Sequence, residues 1–525
     1  MTWNNGYVSD VSYPVTFYAE QSPAHLGFAC MLSGHEPVAL DKPFTYFELG
    51  CGHGLTSNVM AATHPHARFF ASDFNPAHIV NARELAEAAN LENMVFLEES
   101  FEDLAAGKIT DLPQFDFVSM YGIYSWVSAA NRRHIVDFLK RYLKPGGIVF
   151  INYNAMPGWS AASTLHRLAR LHADLHPNGS AEQIDQARDF VERLRNTGAR
   201  FFTANNSLAP YLEWFNDSDR NYRAHEYLNQ DSGALYYADV VREMAGAKLD
   251  YAGSAHLFTN FPELHLTPDQ RRLLETIEHG VLRETARDCI LNNSMRQDVY
   301  VRGVRRLSPA RLATWMGKTG LALSRPYVPG TVKFEAVGDD NEGMNLLYTS
   351  VLDALAKRPH RLSELAALPA FEGLHASALL KVASMLVEFD RVAPYFVQTA
   401  AIDPAPAHRL NMELARLSET SDEYKVLASP LLGSGTTAGL IQRLVYPFAA
   451  QLGKDLDVET IARYIDSVVE AQGAPLMRNG QPIESAEERH EEIRNTVRAI
   501  IAMRLPIWQQ HGALGDCTPL LCTAE

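Results

Sequence analysis

The chain has 525 residues, too many for one hydrophobic core, so three or four domains are expected. Hydrophobic residues make up 46% and charged residues 21%, which excludes a disordered or fibrous chain. A formal charge of −15 argues against non-specific nucleic-acid binding, which needs Lys and Arg against phosphates.

In chain order, FTYFELG (44–50) reads as a buried strand running into glycines, and LTSNVMAATHP (55–65) as a helix closed by Pro65. ARFFASDFN (67–75) is a second strand ending in an acid. PAHIVNARELAEAANL (76–91) has helical spacing, with Pro76 suited to the first turn. MVFLEES (94–100) reads as a third strand and FDFVSMYGIYSWV (115–127) contains a fourth. ANRRHIVDFLKRYLKPGG (130–147) is an amphipathic helix stopped at Pro145, and IVFINYN (148–154) is a fifth strand. Strands alternating with helices predict a parallel, doubly wound α/β sheet.

Beyond about residue 160 helical periodicity dominates, at 181–200, 234–247 and 268–290. TVKFEAV (331–337) reads as a strand. Residues 346–368, 377–389 and 391–397 have the pattern of a winged-helix unit, and 403–408 reads as a linker. The expected division is a leader or lid at 1–42, a sheet domain at 43–175, a helical middle domain at 176–335, a winged-helix-like unit at 336–402 and a helical domain at 403–525. The basic stretch RQDVYVRGVRR (296–306) is expected on a solvated face, GSGTTAG (433–439) as a turn, and GDCTPLLCTAE (515–525) as a loose tail. HASALLKVASMLVEFD (375–390) is not a basic recognition helix, so nucleic acid is not an expected partner.

The five cysteines, Cys30, Cys51, Cys289, Cys517 and Cys522, form no C-x-x-C pair and no metal spacing. A reducing cytoplasm fits them. No signal peptide is read at the N-terminus, and no apolar run is long enough for membrane insertion.

The chemistry concentrates at FELGCGHG (47–54). Gly50, Gly52 and Gly54 follow a strand and precede a helix, whose free N–H groups suit an anion. Leu55 stands where the dinucleotide fingerprint needs glycine, and no Gly-Lys-Ser/Thr is present for a P-loop. Asp73 ends the second strand, placed to accept from both ribose hydroxyls of a nucleoside. Glu48 beside the turn would attract an ammonium and repel a pyrophosphate, which points to a nucleoside carrying an amino acid.

ELGCGHG with SDFNP resembles motif I and the acidic strand end of class I S-adenosylmethionine-dependent methyltransferases. The resemblance implies a Rossmann-like methyltransferase sheet with S-adenosyl-L-methionine as cofactor and S-adenosyl-L-homocysteine as product. It implies that Gly50, Cys51, Gly52 and Gly54 form the loop under the methionine part, with Glu48 holding that end. Asp73 would bind the ribose and Phe74 lie along the adenine. Ser100, beside Phe101, stands where the family carries an acid for the adenine amino group. YGIYSWVS (121–128), LKPGGIVFINYNAMPGW (143–159), the leader SYPVTFYAEQSPAHL (12–26) and RAHEYLNQDSGALYYADVVREMAGAKLDYAGSA (223–255) are similar to a bacterial subgroup with a methyltransferase regulatory domain. VLASPLLGSG (426–435) and LPIWQQHGAL (505–514) extend that similarity over nearly the whole chain. Bacterial protein lysine methyltransferases share this architecture.

A sulfonium is positive, so aromatic faces near the strand ends are useful. Tyr121, Tyr124, Tyr153 and Asn154 are the expected acceptor wall, with Tyr121 also near the cofactor, while Trp126 and Trp159 are read as packing. Tyr7, Tyr13 and Gln21 of the leader form a candidate lid. His53 and His134 are the nearest bases in sequence, each read as a surface or supporting residue. HEYLN (225–229) fails the zinc-protease pattern at Asn229, and His225 and Glu226 are read mainly as domain packing. The methyl acceptor is expected to be a protein lysine, with a small molecule or glycan as alternative and a non-catalytic S-adenosylmethionine-binding regulator as a third reading. A wide acidic groove would favour the protein, and a closed apolar pocket the small molecule.

Overall fold

The computed structural model describes residues 6–330, 341–453, 456–473, 475–478 and 480–515. The expected strand at 331–337 and the tail beyond 515, with Cys517 and Cys522, lie outside the described residues.

Five parallel strands form the first part of the sheet: β1 (Thr45–Leu49), β2 (Arg68–Asp73), β3 (Met94–Glu98), β4 (Phe115–Met120) and β5 (Leu143–Asn154). Their side chains alternate between two buried cores. Tyr46, Phe69, Phe117 and Phe150 enter one core, while Phe47, Phe70, Val118 and Val149 enter the other. Helices α1 (Pro23–Leu32), α2 (Leu55–Thr63) and α3 (Pro76–Ala88) cover the first core. Helices α4 (Phe101–Ala106) and α5 (Ala129–Tyr142) cover the second. Burial on both faces is why these strands read as continuous apolar runs.

The sheet is mixed rather than wholly parallel. Two further strands, β6 (Leu249–Ser254) and β7 (Met295–Arg302), complete the order β3-β2-β1-β4-β5-β7-β6, with β7 antiparallel to both β5 and β6. The middle segment therefore extends the sheet across the expected boundary at residue 175. The supposed solvated basic face is largely β7. Its Val-Tyr-Val run pairs with the open edge of β5, and Arg296 is 4% exposed because Asp298 (2.9 Å) and Asp288 (2.6 Å) compensate its charge. The helix expected over 268–290 is two helices, Pro268–Glu275 and Gly280–Leu291.

Further along, β8 (Thr319–Leu323), β9 (His360–Arg361) and β10 (Val392–Phe396) form a small antiparallel sheet with the helices Asn341–Leu355 and Ala376–Glu388. This unit takes β8 from before residue 336. A hairpin of β11 (Val426–Ser429) and β12 (Ser434–Thr437) follows, so GSGTTAG contributes a strand. The remainder is mainly helical. No described helix is long and apolar enough to cross a membrane.

The strand order reverses between β1 and β4. In an open α/β sheet the carboxyl ends at such a point border a crevice, and the glycine turn lies there.

Candidate active site

The turn after β1 is tied to its neighbour by backbone bonds, Gly50 N and Cys51 N both donating to Ser72 O at 2.8 and 3.0 Å. Gly50, Gly52 and Gly54 all adopt positive φ, at 71°, 52° and 68°. Their surroundings differ. A Cβ at Gly54 would lie 2.6 Å from Ala82 Cβ and 2.7 Å from Phe96, so this glycine lets α2 pack on α3 and β3. A Cβ at Gly52 would meet nothing within 4 Å and would project into open space over the loop.

Asp73 locks the turn. Its Oδ2 accepts from Gly52 N and its Oδ1 from Asn75 N, both at 2.9 Å, and His78 Nδ1 stands 3.3 Å from Oδ1. Each carboxylate oxygen has two acceptor sites, so capacity remains for a ligand hydroxyl. Ser72 Oγ is buried beside it without a partner.

Glu48 sits beneath the turn in a buried polar network. Ser57 Oγ donates to Oε2, and Gln21 Nε2 donates to Oε1 at 3.2 Å. Gln21 Oε1 accepts from Ser119 Oγ at 2.6 Å, and Ser119 Oγ accepts from Tyr46 OH at 2.7 Å. Burial pushes the Glu48 carboxyl up to about 7, against the two donors that draw it down.

Two adjoining chambers of about 840 and 590 Å³ open over this floor, sharing Tyr7, Gly50, Asp73, His78, Gly122 and Ile123. The larger continues past Phe74, Ser100 and Phe101. The smaller continues past Tyr13, Tyr18, Glu48, Cys51, Gly52, Gly54 and Tyr121. Ser100 also caps α4, its Oγ accepting from Asp103 N at 3.1 Å and donating to Asp103 Oδ2 at 2.6 Å.

The leader crosses the cleft as a strap. Val8 N donates to Asn229 Oδ1 (2.9 Å) and Gln230 N to Gly6 O (3.0 Å). His225 Nε2 lies 3.0 Å from Val11 O, and His53 Nε2 lies 3.0 Å from Tyr13 O. Burial and the nearby His78 ring push His53 down to about 4, so it is neutral at pH 7 and fastens the strap.

The structure brings together Glu48, Gly50, Cys51, Gly52, Gly54, Asp73, Phe74, Ser100, Phe101, Tyr121 and Tyr13 around the cleft. Gln21 lies under it, bonded to Glu48, rather than in the lid. Three residues of the expected acceptor wall do not line either chamber. Tyr124 is buried under α5 and donates to Glu243 Oε2 at 2.6 Å. Tyr153 donates to Asp298 Oδ2 at 2.8 Å, because β7 continues the sheet beyond β5. Asn154 is held through its backbone by Ser125 Oγ and pairs with Met295. Sequence reasoning missed Tyr18, whose ring stacks on Tyr121 at 3.6 Å, and His78 against Asp73. Tyr18 lies in the quoted leader, but nothing local marks it above its neighbours. Trp126, read as packing, lines the larger chamber.

A family described as a methyltransferase domain matches residues 47–149, and one described as a predicted methyltransferase regulatory domain matches 219–302. The chain is 33% identical over 513 residues to the uncharacterized protein sll1526 of Synechocystis, covering 98% of this chain and 100% of that one. Over 107 residues it is 30% identical to a malonyl-[acyl-carrier protein] O-methyltransferase of Paenibacillus, covering 20% of this chain and 37% of that protein. The fold matches PKMT2 from Rickettsia typhi, solved in complex with AdoHcy, with a TM-score of 0.65 at 19% identity, over 94% of this chain and 99% of that one. The chain belongs to the family of the Synechocystis protein, and it is a class I S-adenosylmethionine-dependent methyltransferase with a methyltransferase regulatory domain.

Proposed function

We propose that the enzyme methylates a lysine amine of a protein, in the cytoplasm. One observation carries this reading. The tyrosine end of the cleft shares Tyr13, Pro14 and Thr16 with a wide groove of about 1220 Å³. That groove runs between the strap, the start of the helix Arg220–Leu228 and the hairpin, and it is lined by Asp219, Glu423 and Asp422, the last paired with Lys425 (3.2 Å) and Arg443. An open groove with Asp219 and Glu423 on its sides suits a basic polypeptide better than a free small molecule. The resemblance of the sequence to bacterial protein lysine methyltransferases points to the same acceptor. The free cysteines Cys30, Cys51 and Cys289 fit a reducing compartment.

The residues present fit the cofactor. Gly52 leaves space for it, Asp73 keeps acceptor capacity, and Ser72 Oγ awaits a partner. In this reading Glu48 and the loop at Gly50, Cys51, Gly52 and Gly54 hold the methionine end and Asp73 the ribose. Phe74, Ser100 and Phe101 border the adenine. S-adenosylmethionine supplies an electrophilic methyl on a sulfonium. The Tyr18–Tyr121 stack presents π faces to that positive charge and keeps water out. The acceptor amine must arrive neutral, although its reference pKa is about 10.4. We assign Tyr121 to the acceptor wall, and Tyr124, Tyr153 and Asn154 to supporting it from behind.

A small-molecule or glycan acceptor is the second reading, and the short match to a malonyl-[acyl-carrier protein] O-methyltransferase keeps oxygen open as the acceptor atom. Purified enzyme with tritiated S-adenosylmethionine and heat-treated bacterial lysate separates the two. Label recovered as methyl-lysine after acid hydrolysis of the protein fraction is expected. Label confined to the small-molecule fraction, or none beyond background, would overturn the protein reading.

A further inference from the structure

The larger chamber is not built from the methyltransferase domain alone. Asp231 of the regulatory segment lines it, facing the same space as Phe74 and Ser100 and as Trp126 and Asn131 from the stretch after β4. Backbone bonds fix the chain on both sides of Asp231. Gln230 N donates to Gly6 O of the strap at 3.0 Å, and Gly233 N donates to Ser125 O at 2.8 Å. Ser125 is itself tied to the end of β5, its Oγ accepting from Asn154 N at 2.7 Å. The fold therefore sets the place of Asp231, whose exposed side chain takes no hydrogen bond or ion pair among the described residues.

An adenine presents a 6-amino donor on its outer edge, where a hypoxanthine presents an oxygen. To prefer adenine, a pocket needs a group there that accepts and cannot donate. Several polar side chains of the chamber are committed elsewhere. Ser100 Oγ donates to Asp103 Oδ2 and accepts from Asp103 N, and Ser128 Oγ accepts from Asn131 N at 3.2 Å. Asp73, Ser72 and His78 stand at the glycine turn. The Asn131 amide can donate or accept, so it does not distinguish the two bases. An ionised carboxylate only accepts. Two remain, Glu99 and Asp231. Glu99 is under the pull of Lys108, whose ammonium pairs with Asp103 on α4. Asp231 has no such competitor.

Resting on the placement of the adenine beside Phe74, Ser100 and Phe101 above, we propose that Asp231 accepts a hydrogen bond from the 6-amino group and so selects the base, which makes the regulatory segment part of the cofactor site. The two backbone ties beside Asp231 hold the acceptor in place before the cofactor arrives, which lowers the cost of ordering it.

The test is calorimetry on the full chain with S-adenosylhomocysteine and with S-inosylhomocysteine, in which an oxygen replaces the 6-amino group. It compares wild type, Asp231→Ala, Asp231→Asn, Glu99→Gln and Phe74→Ala. Wild type should bind the adenosyl compound about 30-fold more tightly than the inosyl compound. Asp231→Ala should shrink that preference about tenfold, through weaker binding of the adenosyl compound. Asp231→Asn should shrink it through tighter binding of the inosyl compound, because an amide can donate to the oxygen. Glu99→Gln should keep the wild-type preference. A preference unchanged in both Asp231 variants, or one lost in Glu99→Gln, would overturn the proposal. Weaker binding of both compounds by Phe74→Ala would then leave the adenine placement standing. Unchanged affinity in Phe74→Ala would overturn the placement and the proposal together.

Discussion

The floor of the cleft and its roof are held by different forces. The floor, from Glu48 to Asp73, is a backbone construction: Gly50 N and Cys51 N bond to Ser72 O, Gly52 N bonds to Asp73, and a buried network fixes Glu48. The roof is the strap and the helix Arg220–Leu228. Side chains bonding to backbone fasten it across long sequence separations, as between Val8 and Asn229, 221 positions apart. A floor of fused turns has one geometry and suits an invariant cofactor. A strap whose ties reach from separate elements can be opened at lower cost, which suits an acceptor that must enter and leave.

That contrast can be broken at several points. The largest expected effect is at Gly54. Gly54→Ala combines a left-handed conformation with the clash on Ala82 and Phe96, and should cost about 4 kcal/mol in denaturant unfolding. Gly52→Ala meets no atom, so it should cost only about 1 kcal/mol of stability while weakening cofactor affinity. Equal losses of stability in the two variants would contradict the assignment of Gly52 to the ligand side.

Asp73→Ala should weaken S-adenosylhomocysteine binding by about 100-fold in calorimetry, the loss of about 3 kcal/mol of hydrogen bonding to a charged acceptor. Unchanged affinity would remove the ribose from this strand end.

Glu48 sets a pH dependence. Its folded-state carboxyl lies at about 7, above the ordinary 4.5, so the folded chain holds a proton that the unfolded chain releases. Stability therefore falls as pH rises from about 4.5 to about 7, by on the order of 3 kcal/mol from this group. Glu48→Gln should flatten the fall in melting temperature across that window in the ligand-free enzyme. An unaltered slope would place the acid elsewhere.

The smallest effect on function is at Tyr124. Tyr124→Phe loses the bond to Glu243 and should cost about 2 kcal/mol of stability with turnover unchanged, whereas Tyr121→Ala should lower turnover. A turnover defect in Tyr124→Phe would return that side chain to the acceptor wall.

The floor was legible because its signals are local. Three glycines between a strand and a helix, an acid before them and an acid ending the next strand state the geometry within one βαβ unit. The roof was not, because nothing in the leader marks Tyr18 for Tyr121, and nothing in HEYLN shows which face of its helix meets the strap. Tyr153 was misplaced for a related reason. The fifth strand looked like an edge until β7 covered it, and β7 was hidden by the charges of Arg296 and Asp298, which pair with one another inside the protein. The alternation around Val299, Tyr300 and Val301 was the available clue.

The most direct measurement is a calorimetric titration of the purified enzyme with S-adenosylmethionine and S-adenosylhomocysteine, with NAD and ATP as controls. Selective one-site binding, weakened by Asp73→Ala, is the predicted result. Absence of binding by folded protein, or equal binding of NAD, would contradict the assignment of the floor to this cofactor.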